Sequence, residues 1–168
     1  MNMFELDIAL ARKNIGKQCS VRLSGDMEET SYYGRELMFC APVSCDLSYS
    51  FDGEDIILTG DCKTSIVEHC ARCNKECFVD ISFDIDERLV KNGSEGDFYY
   101  NAESADLHDM LFELILLNMP IAVLCKEDCK GLCPKCGIDL NFHECACKEI
   151  DESPFSVLSG FFNDDKEV

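Results

Sequence analysis

The chain has 168 residues, with 33 acidic against 15 basic side chains and a formal charge of −18 at pH 7. So large a negative balance repels phosphate backbones and excludes a non-specific nucleic-acid coat. The length allows one hydrophobic core plus a small appended module, and the composition, 46% hydrophobic and 29% charged, is that of a globular protein.

Thirteen cysteines offer two readings, a disulfide framework or a set of thiols for metal ligation in a reducing compartment. Residues 1–11 carry Glu5 and Asp7 inside an apolar stretch with no basic region before it, which is not the pattern of a signal peptide. An odd cysteine count also fits complete pairing poorly. The longest apolar run, 110–124, is interrupted by Glu113, Asn118 and Pro120 and falls short of the roughly 20 residues a membrane-spanning helix needs. The expectation is a soluble, cytoplasmic protein without a membrane contact.

In chain order, residues 3–34 give a weak pattern: Val21 to Leu23 and Tyr32 to Tyr33 suit short strands, and Ile8 to Lys13 a helical turn. From Val43, the residues Cys45, Leu47, Tyr49 and Phe51 alternate with Ser44, Asp46, Ser48, Ser50 and Asp52, which predicts a half-buried strand. Asp52-Gly53 is a turn signal, and a second strand opens at Ile56 and runs past Gly60 to about Glu68. A third follows, with Val79, Ile81, Phe83 and Ile85 opposed to Asp80, Ser82, Asp84 and Asp86. The three make an antiparallel meander with one acidic, wet face. Residues 91–105 read as a surface loop. Asp106 suits a helix N-cap, and Leu107, Met110, Leu111, Leu114 and Ile115 follow at helical spacing until Pro120 limits the helix. Phe112, Leu116 and Leu117 widen its apolar surface, so it is expected to pack on the meander and be covered on both sides. Residues 154–162 suit a short amphipathic helix with Phe155, Leu158 and Phe162 on one side, and 164–168 an acidic tail.

Between residues 125 and 147 the chain reads Cys125-x3-Cys129-x3-Cys133-x2-Cys136-x8-Cys145-x-Cys147. Thiolates are soft ligands, and short-spaced pairs joined by a loop are how tetrahedral structural zinc sites are built. Cys133-Pro134-Lys135-Cys136-Gly137 is the informative half, because a two-residue gap lets both sulfurs reach one ion and Gly137 tolerates the positive φ of a tight knuckle. The partner pair is ambiguous. One ion takes four of the six thiols, with Cys129 or Cys145 joining Cys133, Cys136 and Cys147 as the preferred set, and His143 is a weaker candidate ligand. The segment has too few large apolar residues for a core of its own, and metal binding, worth on the order of 10 kcal/mol in small zinc modules, would supply the missing folding free energy. The spacing Cys129-x3-Cys133-x2-Cys136 is also similar to the iron–sulfur motif of radical enzymes that use S-adenosylmethionine, but no succession of strand and helix units builds their barrel here.

A second cluster, Cys70-Ala71-Arg72-Cys73 with Cys77 beyond it, falls where the second strand turns into the third. It reads as a structural turn, as part of a metal site shared with His69 or Cys62, or as a redox dithiol. The last lacks the helix N-terminus that usually lowers a thiol pKa. Arg72 and Lys75 make the tip locally basic, so that with Cys70 and Cys73 it is a candidate partner contact for phosphate or a carboxylate.

Taken together, His69-Cys70-Ala71-Arg72-Cys73 after a β segment, the stretch 106–120 (DLHDMLFELILLNMP), and 128–141 (DCKGLCPKCGIDLN) followed by Cys145-Ala146-Cys147 resemble the YceD family, the large ribosomal RNA subunit accumulation proteins. The resemblance covers roughly residues 40 to 160. It implies a non-enzymatic role in the synthesis, processing or accumulation of large-subunit (23S) ribosomal RNA, in bacteria and chloroplasts, with a ribosomal RNA precursor or a large-subunit ribosomal protein as partner. The matching positions are Cys70, Arg72 and Cys73 in the hairpin and Cys125, Cys129, Cys133, Cys136, Cys145 and Cys147 in the metal module. Family members often continue into Asp-Pro-Arg, where this chain has Asp151-Glu152-Ser153-Pro154-Phe155, so no role of that arginine transfers.

The expected architecture is α+β: an antiparallel β meander with one principal helix and a C-terminal zinc-knuckle module, divided as 1–124, 125–150 and 151–168. No catalytic constellation and no small-molecule site is read from the sequence, since the histidines are scattered at 69, 108 and 143 and no glycine-rich phosphate loop is present. Two other functions compete with RNA work: an adaptor for a basic ribosomal protein without RNA contact, and a thiol oxidoreductase cycling Cys70 and Cys73.

Overall fold

Strict alternation of apolar and polar side chains builds the centre of the molecule. The computed structural model describes residues 3–28, 30–32 and 35–147. Its elements in chain order are β1 (Glu5–Asp7), α1 (Ala9–Lys13), β2 (Cys19–Gly25), β3 (Thr30–Tyr32), β4 (Arg35–Phe39), β5 (Val43–Phe51), β6 (Ile56–His69), β7 (Glu76–Lys91), β8 (Phe98–Tyr100), β9 (Ser104–Asp106) and α2 (His108–Leu117). The fold is α+β, with β5, β6 and β7 as the expected antiparallel meander.

The long strand β6 organises the sheet. Along one edge it pairs first with β5, from Phe51↔Ile56 to Ser44↔Lys63, and then with β4 through Met38↔Val67 and Phe39↔Ile66. Along the other edge it pairs with β7 over its whole length, from Ile56↔Leu89 to His69↔Glu76. β2 extends the sheet beyond β5, and β8 runs parallel to the end of β7. β1 and β9 form a separate two-stranded ribbon. Gly60 sits in the middle of β6 with φ 157, and its backbone passes so close to Asp46 and Leu47 of β5 that there is no space for a side chain.

One face of this sheet is apolar and carries the core. Val43, Cys45, Leu47, Tyr49 and Phe51 from β5, Ile56, Leu58, Cys62 and Ile66 from β6, and Ile81, Phe83, Ile85 and Leu89 from β7 are all buried. Phe4, Leu6, Ile8 and Ala11 from the N-terminus and Leu107, Met110, Leu111 and Ile115 from the α2 region complete the same cluster. Each large side chain so buried contributes roughly 1.5–3 kcal/mol relative to exposure. The opposite face is hydroxyl- and carboxylate-rich, with Ser20 beside Ser48, Ser24 beside Ser44, and the row Asp46, Asp61 and Asp84 crossing three strands.

Several local expectations are refined. The stretch 91–105 is not simply loop: β8 lies within it, with Tyr100 buried and its hydroxyl donating to the Glu54 carbonyl at 2.6 Å, and β9 begins there and pairs with β1. Asp106 accepts the amide of His108 at 2.9 Å, but it closes β9, and Leu107 holds the cap position. In α2, Phe112, Leu114 and Leu116 pack partly buried against the core while Leu117 is exposed, so the helix is not covered all round. Strand β2 is longer than the Val21 to Leu23 expected, α1 falls on the expected helical turn, and β3 overlaps the expected short strand only at Tyr32. The predicted helix at 154–162, the acidic tail and Tyr33 lie outside the described residues. Among the described residues no helix is long and apolar enough to cross a membrane.

Candidate metal centres

The meander delivers the first thiol pair to one place. β6 ends at His69 and β7 begins at Glu76, so Cys70 and Cys73 sit in the hairpin tip. After α2 the chain runs back along this tip, where the Ala71 amide donates to the Val123 carbonyl at 2.8 Å. That return brings Cys125 and Cys129 over the hairpin, with Cys73 Sγ to Cys125 Sγ at 3.5 Å and Cys70 Sγ to Cys129 Sγ at 3.8 Å. The remaining four, Cys133, Cys136, Cys145 and Cys147, form a second group, with Cys145 Sγ 3.3 Å from Cys133 Sγ and 3.5 Å from Cys136 Sγ.

Within each group all four sulfurs lie within 4.8 Å of one another, so each group could hold a metal ion. A disulfide needs a sulfur–sulfur distance of about 2.05 Å. Four thiolates around an ion at about 2.3 Å have edges of about 3.8 Å, the spacing of zinc–sulfur tetrahedra. The donor chemistry therefore fits a soft or borderline divalent ion, with Cys70, Cys73, Cys125 and Cys129 in one set and Cys133, Cys136, Cys145 and Cys147 in the other. This division differs from a single ion shared among the six C-terminal thiols: Cys129 belongs with the hairpin, and the 124/125 boundary runs through the first group. His143 and His69 are exposed and belong to neither group, Cys77 donates to the Lys75 carbonyl, and Cys62 faces Cys45 in the core.

Both CxxC segments fold identically. Cys70 N donates to Lys75 O and Asn74 N to Cys70 O, at 2.8 and 2.9 Å; Cys133 N donates to Ile138 O and Gly137 N to Cys133 O, at the same two distances. Asn74 and Gly137 follow the second cysteine with φ 58 and 72. Backbone N–H groups point at the first sulfur, from the turn in both groups and, at Cys70, also from the returning segment. The amides of Cys125 and Cys73 hold the Cys70 thiol down to about 6, and those of Cys136 and Lys135 do the same to Cys133, also to about 6. The thiols that lose protons last are Cys125, pushed up to about 12 by burial and the neighbouring Cys73, and Cys147, pushed up to about 12 by Cys145 and Cys136. In the first group Cys129 is also shifted down, against its burial, by the Asn141 amide and the Gly131 N–H, so each group offers anionic character at its sulfurs, and a divalent ion would displace the remaining protons.

The surroundings tie the groups together. The Arg72 guanidinium donates to the Cys129 carbonyl at 2.7 Å, and the Arg72 carbonyl accepts from Leu132 N at 3.0 Å. Asn141, in the loop between Cys136 and Cys145, accepts from Lys130 N at 2.9 Å and turns its amide to Cys129 Sγ at 3.5 Å. Asn141 is a supporting residue that spacing rules overlook, because they count sulfurs and not the amides that orient them. Between 125 and 147 the buried residues are Cys129, Gly131 and Cys133, and no large apolar side chain is buried there.

Comparison with known proteins gives a consistent result. Residues 58–162 match the family model "Large ribosomal RNA subunit accumulation protein YceD", a span that takes in both thiol groups. An uncharacterized protein of Mycobacterium leprae is 25% identical over 108 residues, covering 60% of this chain and 50% of that protein. Uncharacterized proteins of Mycobacterium bovis and Mycobacterium tuberculosis are each 27% identical over 108 residues, covering 60% of this chain and 52% of theirs. The chain thus spans about half the length of these curated relatives. No solved structure matches it. With the family match extending over more than half its length, the chain belongs to the YceD family of large ribosomal RNA subunit accumulation proteins.

Proposed function

We propose that the protein is a zinc-bound, non-enzymatic ribosome-biogenesis factor of the cytoplasm that supports the synthesis, processing or accumulation of large-subunit (23S) ribosomal RNA. The observation that carries this is the family match over 58–162, which runs through the β6–β7 hairpin, α2 and both thiol groups. Zinc is the ion favoured by all-thiolate sets at these sulfur spacings, and its role is structural: it supplies folding free energy to a segment with no buried apolar side chain. In a strain depleted of the protein, the ratio of mature 23S to 16S ribosomal RNA falls and is restored by the wild-type gene but not by a Cys70→Ser, Cys133→Ser double variant. An unchanged ratio on depletion overturns the proposal.

A second reading is favoured by the carboxylates Asp46, Asp61 and Asp84, which stand side by side across β5, β6 and β7 on the face away from the core. Together with the charge of −18 they suit a basic ribosomal protein as direct partner, with the RNA effect following indirectly. Crosslinking in cells separates the two: RNA-linked peptides from 70–77 or 125–147 support direct contact, and protein links alone support the adaptor.

A further inference from the structure

The two thiol groups are unequal in a way that gives their metals different lifetimes. In the hairpin group Cys70 and Cys129 are each 2% exposed and Cys73 9%, whereas Cys136 and Cys147 of the other group lie open at the surface. A chelator removes an ion by replacing its ligands one at a time, so exposed sulfurs are where removal begins.

Topology strengthens the contrast. The hairpin group joins two segments far apart in sequence, 70–73 and 125–129, and these are also held by Ala71 N to Val123 O at 2.8 Å, Leu132 N to Arg72 O at 3.0 Å and the Arg72 guanidinium on Cys129 O at 2.7 Å. These bonds hold the returning segment against the hairpin tip, so freeing either pair works against them as well as against the sulfur ligands. The other group takes all its ligands from 133–147. Among the described residues, the backbone bonds that fix this loop, such as His143 N to Asp139 O at 3.1 Å, lie before the Cys145-x-Cys147 arm, and the arm's own Cys147 N bond is local, to Cys145 Sγ at 3.3 Å.

We propose that each chain holds two ions: a permanent one at Cys70, Cys73, Cys125 and Cys129 that staples the module to the β6–β7 hairpin, and an exchangeable one at Cys133, Cys136, Cys145 and Cys147. The inference rests on the zinc reading above and adds its stoichiometry and the order of loss. On removal of the exchangeable ion the 133–147 loop opens while the hairpin staple persists, so available zinc sets the conformation of the outer module without unfolding the sheet.

The test uses the full-length chain loaded with zinc alone. Native mass spectrometry is expected to show two ions per chain, and excess EDTA to release them in two resolved phases, one ion in each. Pulses of iodoacetamide during release then label Cys133, Cys136, Cys145 and Cys147 in the fast phase and Cys70, Cys73, Cys125 and Cys129 in the slow one. Cys147→Ser is expected to abolish the fast phase and leave one tightly held ion; because that variant loses an outer ligand only, the wild-type labelling order stands as an independent measure. One ion per chain, a single release phase, or labelling of the hairpin cysteines together with or before the outer ones overturns the proposal while leaving zinc binding intact. A chain that takes up no zinc overturns both.

Discussion

Asn74 and Gly137 occupy the same position in two turns with one hydrogen-bond pattern, each donating its amide to the carbonyl of the first cysteine at 2.9 Å with φ 58 and 72. Asparagine is the non-glycine residue that most readily takes this left-handed conformation, and among the described residues Asn74 is the one non-glycine with positive φ. The hairpin CxxC thus has the geometry of a metal knuckle, which a redox dithiol at a strand turn would not require. The chain has the same ligand-presenting turn twice, once in a β hairpin and once in the tail module.

Asn74→Gly should therefore be neutral or stabilising by up to about 1 kcal/mol, whereas Asn74→Val, β-branched at positive φ, should cost about 1–2 kcal/mol. Urea unfolding of the zinc-loaded chains measures both. A well-tolerated valine would mean that the turn is not held in this conformation in solution.

Gly131 and Gly137 both have positive φ, at 75 and 72, but their surroundings differ. A Cβ on Gly137 meets nothing within 4 Å, while one on Gly131 would stand 2.9 Å from the Arg72 carbonyl oxygen, the acceptor of Leu132 N. Gly137→Ala should cost about 1–2 kcal/mol from conformation alone, and Gly131→Ala about 2–4 kcal/mol because the hairpin must also be displaced. Faster amide exchange at Leu132 in the Gly131→Ala chain is the expected local signature. Equal costs for the two alanines would show that the hairpin and the module are not packed as described.

The strands β5, β6 and β7 were legible because one face is buried and the other wet, so period-two alternation is written directly into Val43 to Phe51 and Val79 to Ile85. The thiols were legible as metal-ligating types for a different reason, the short spacing of the pairs. Their grouping was not legible. Spacing along the chain favours neighbours, and Cys129 is nearer in sequence to Cys133 than to Cys70, yet the return of the chain after α2 along the hairpin places it 3.8 Å from Cys70 Sγ. That return depends on the sheet, α2 and the Ala71–Val123 bond together, which no local pattern encodes. The turn residue Asn74 was the available clue, since Cys-x-x-Cys-Asn repeats the logic of Cys-x-x-Cys-Gly. The weak N-terminal elements β1 and α1 were hard to assign because they are only three and five residues long and are fixed by tertiary burial of Leu6, Ile8 and Ala11.

Gly60 is the position where the sheet itself is most sensitive. An alanine methyl there would collide with the Asp46 carbonyl oxygen and stand 2.9 Å from Leu47 Cα, backbone atoms that cannot rotate away. Gly60→Ala should separate β5 from β6 and cost at least about 3 kcal/mol, the sum of overpacking and disfavoured φ. Circular dichroism melts of Gly60→Ala and wild type measure it, and an unchanged midpoint would refute the close approach of the two paired strands at this position.

At the far end of β6 from the thiols, Asp52 shapes the turn into that strand. Its Oδ1 accepts from Asp55 N at 2.8 Å and Glu54 N at 2.9 Å, and these two amides, with Arg88 nearby, hold its carboxyl below the usual carboxylate range. A group whose folded pKa is depressed contributes stability that is present above its unfolded value, near 3.9, and is lost as pH falls through the folded one. Asp52→Ala should thus lower the melting temperature at pH 7, and the gap to wild type should narrow as the pH is taken below about 3.9. Acid release of metal is common to both chains and cancels in the difference. A gap that stays constant down to pH values where the wild-type carboxyl is protonated would mean that the turn is held by shape alone, not by the anionic acceptor facing the Glu54 and Asp55 amides.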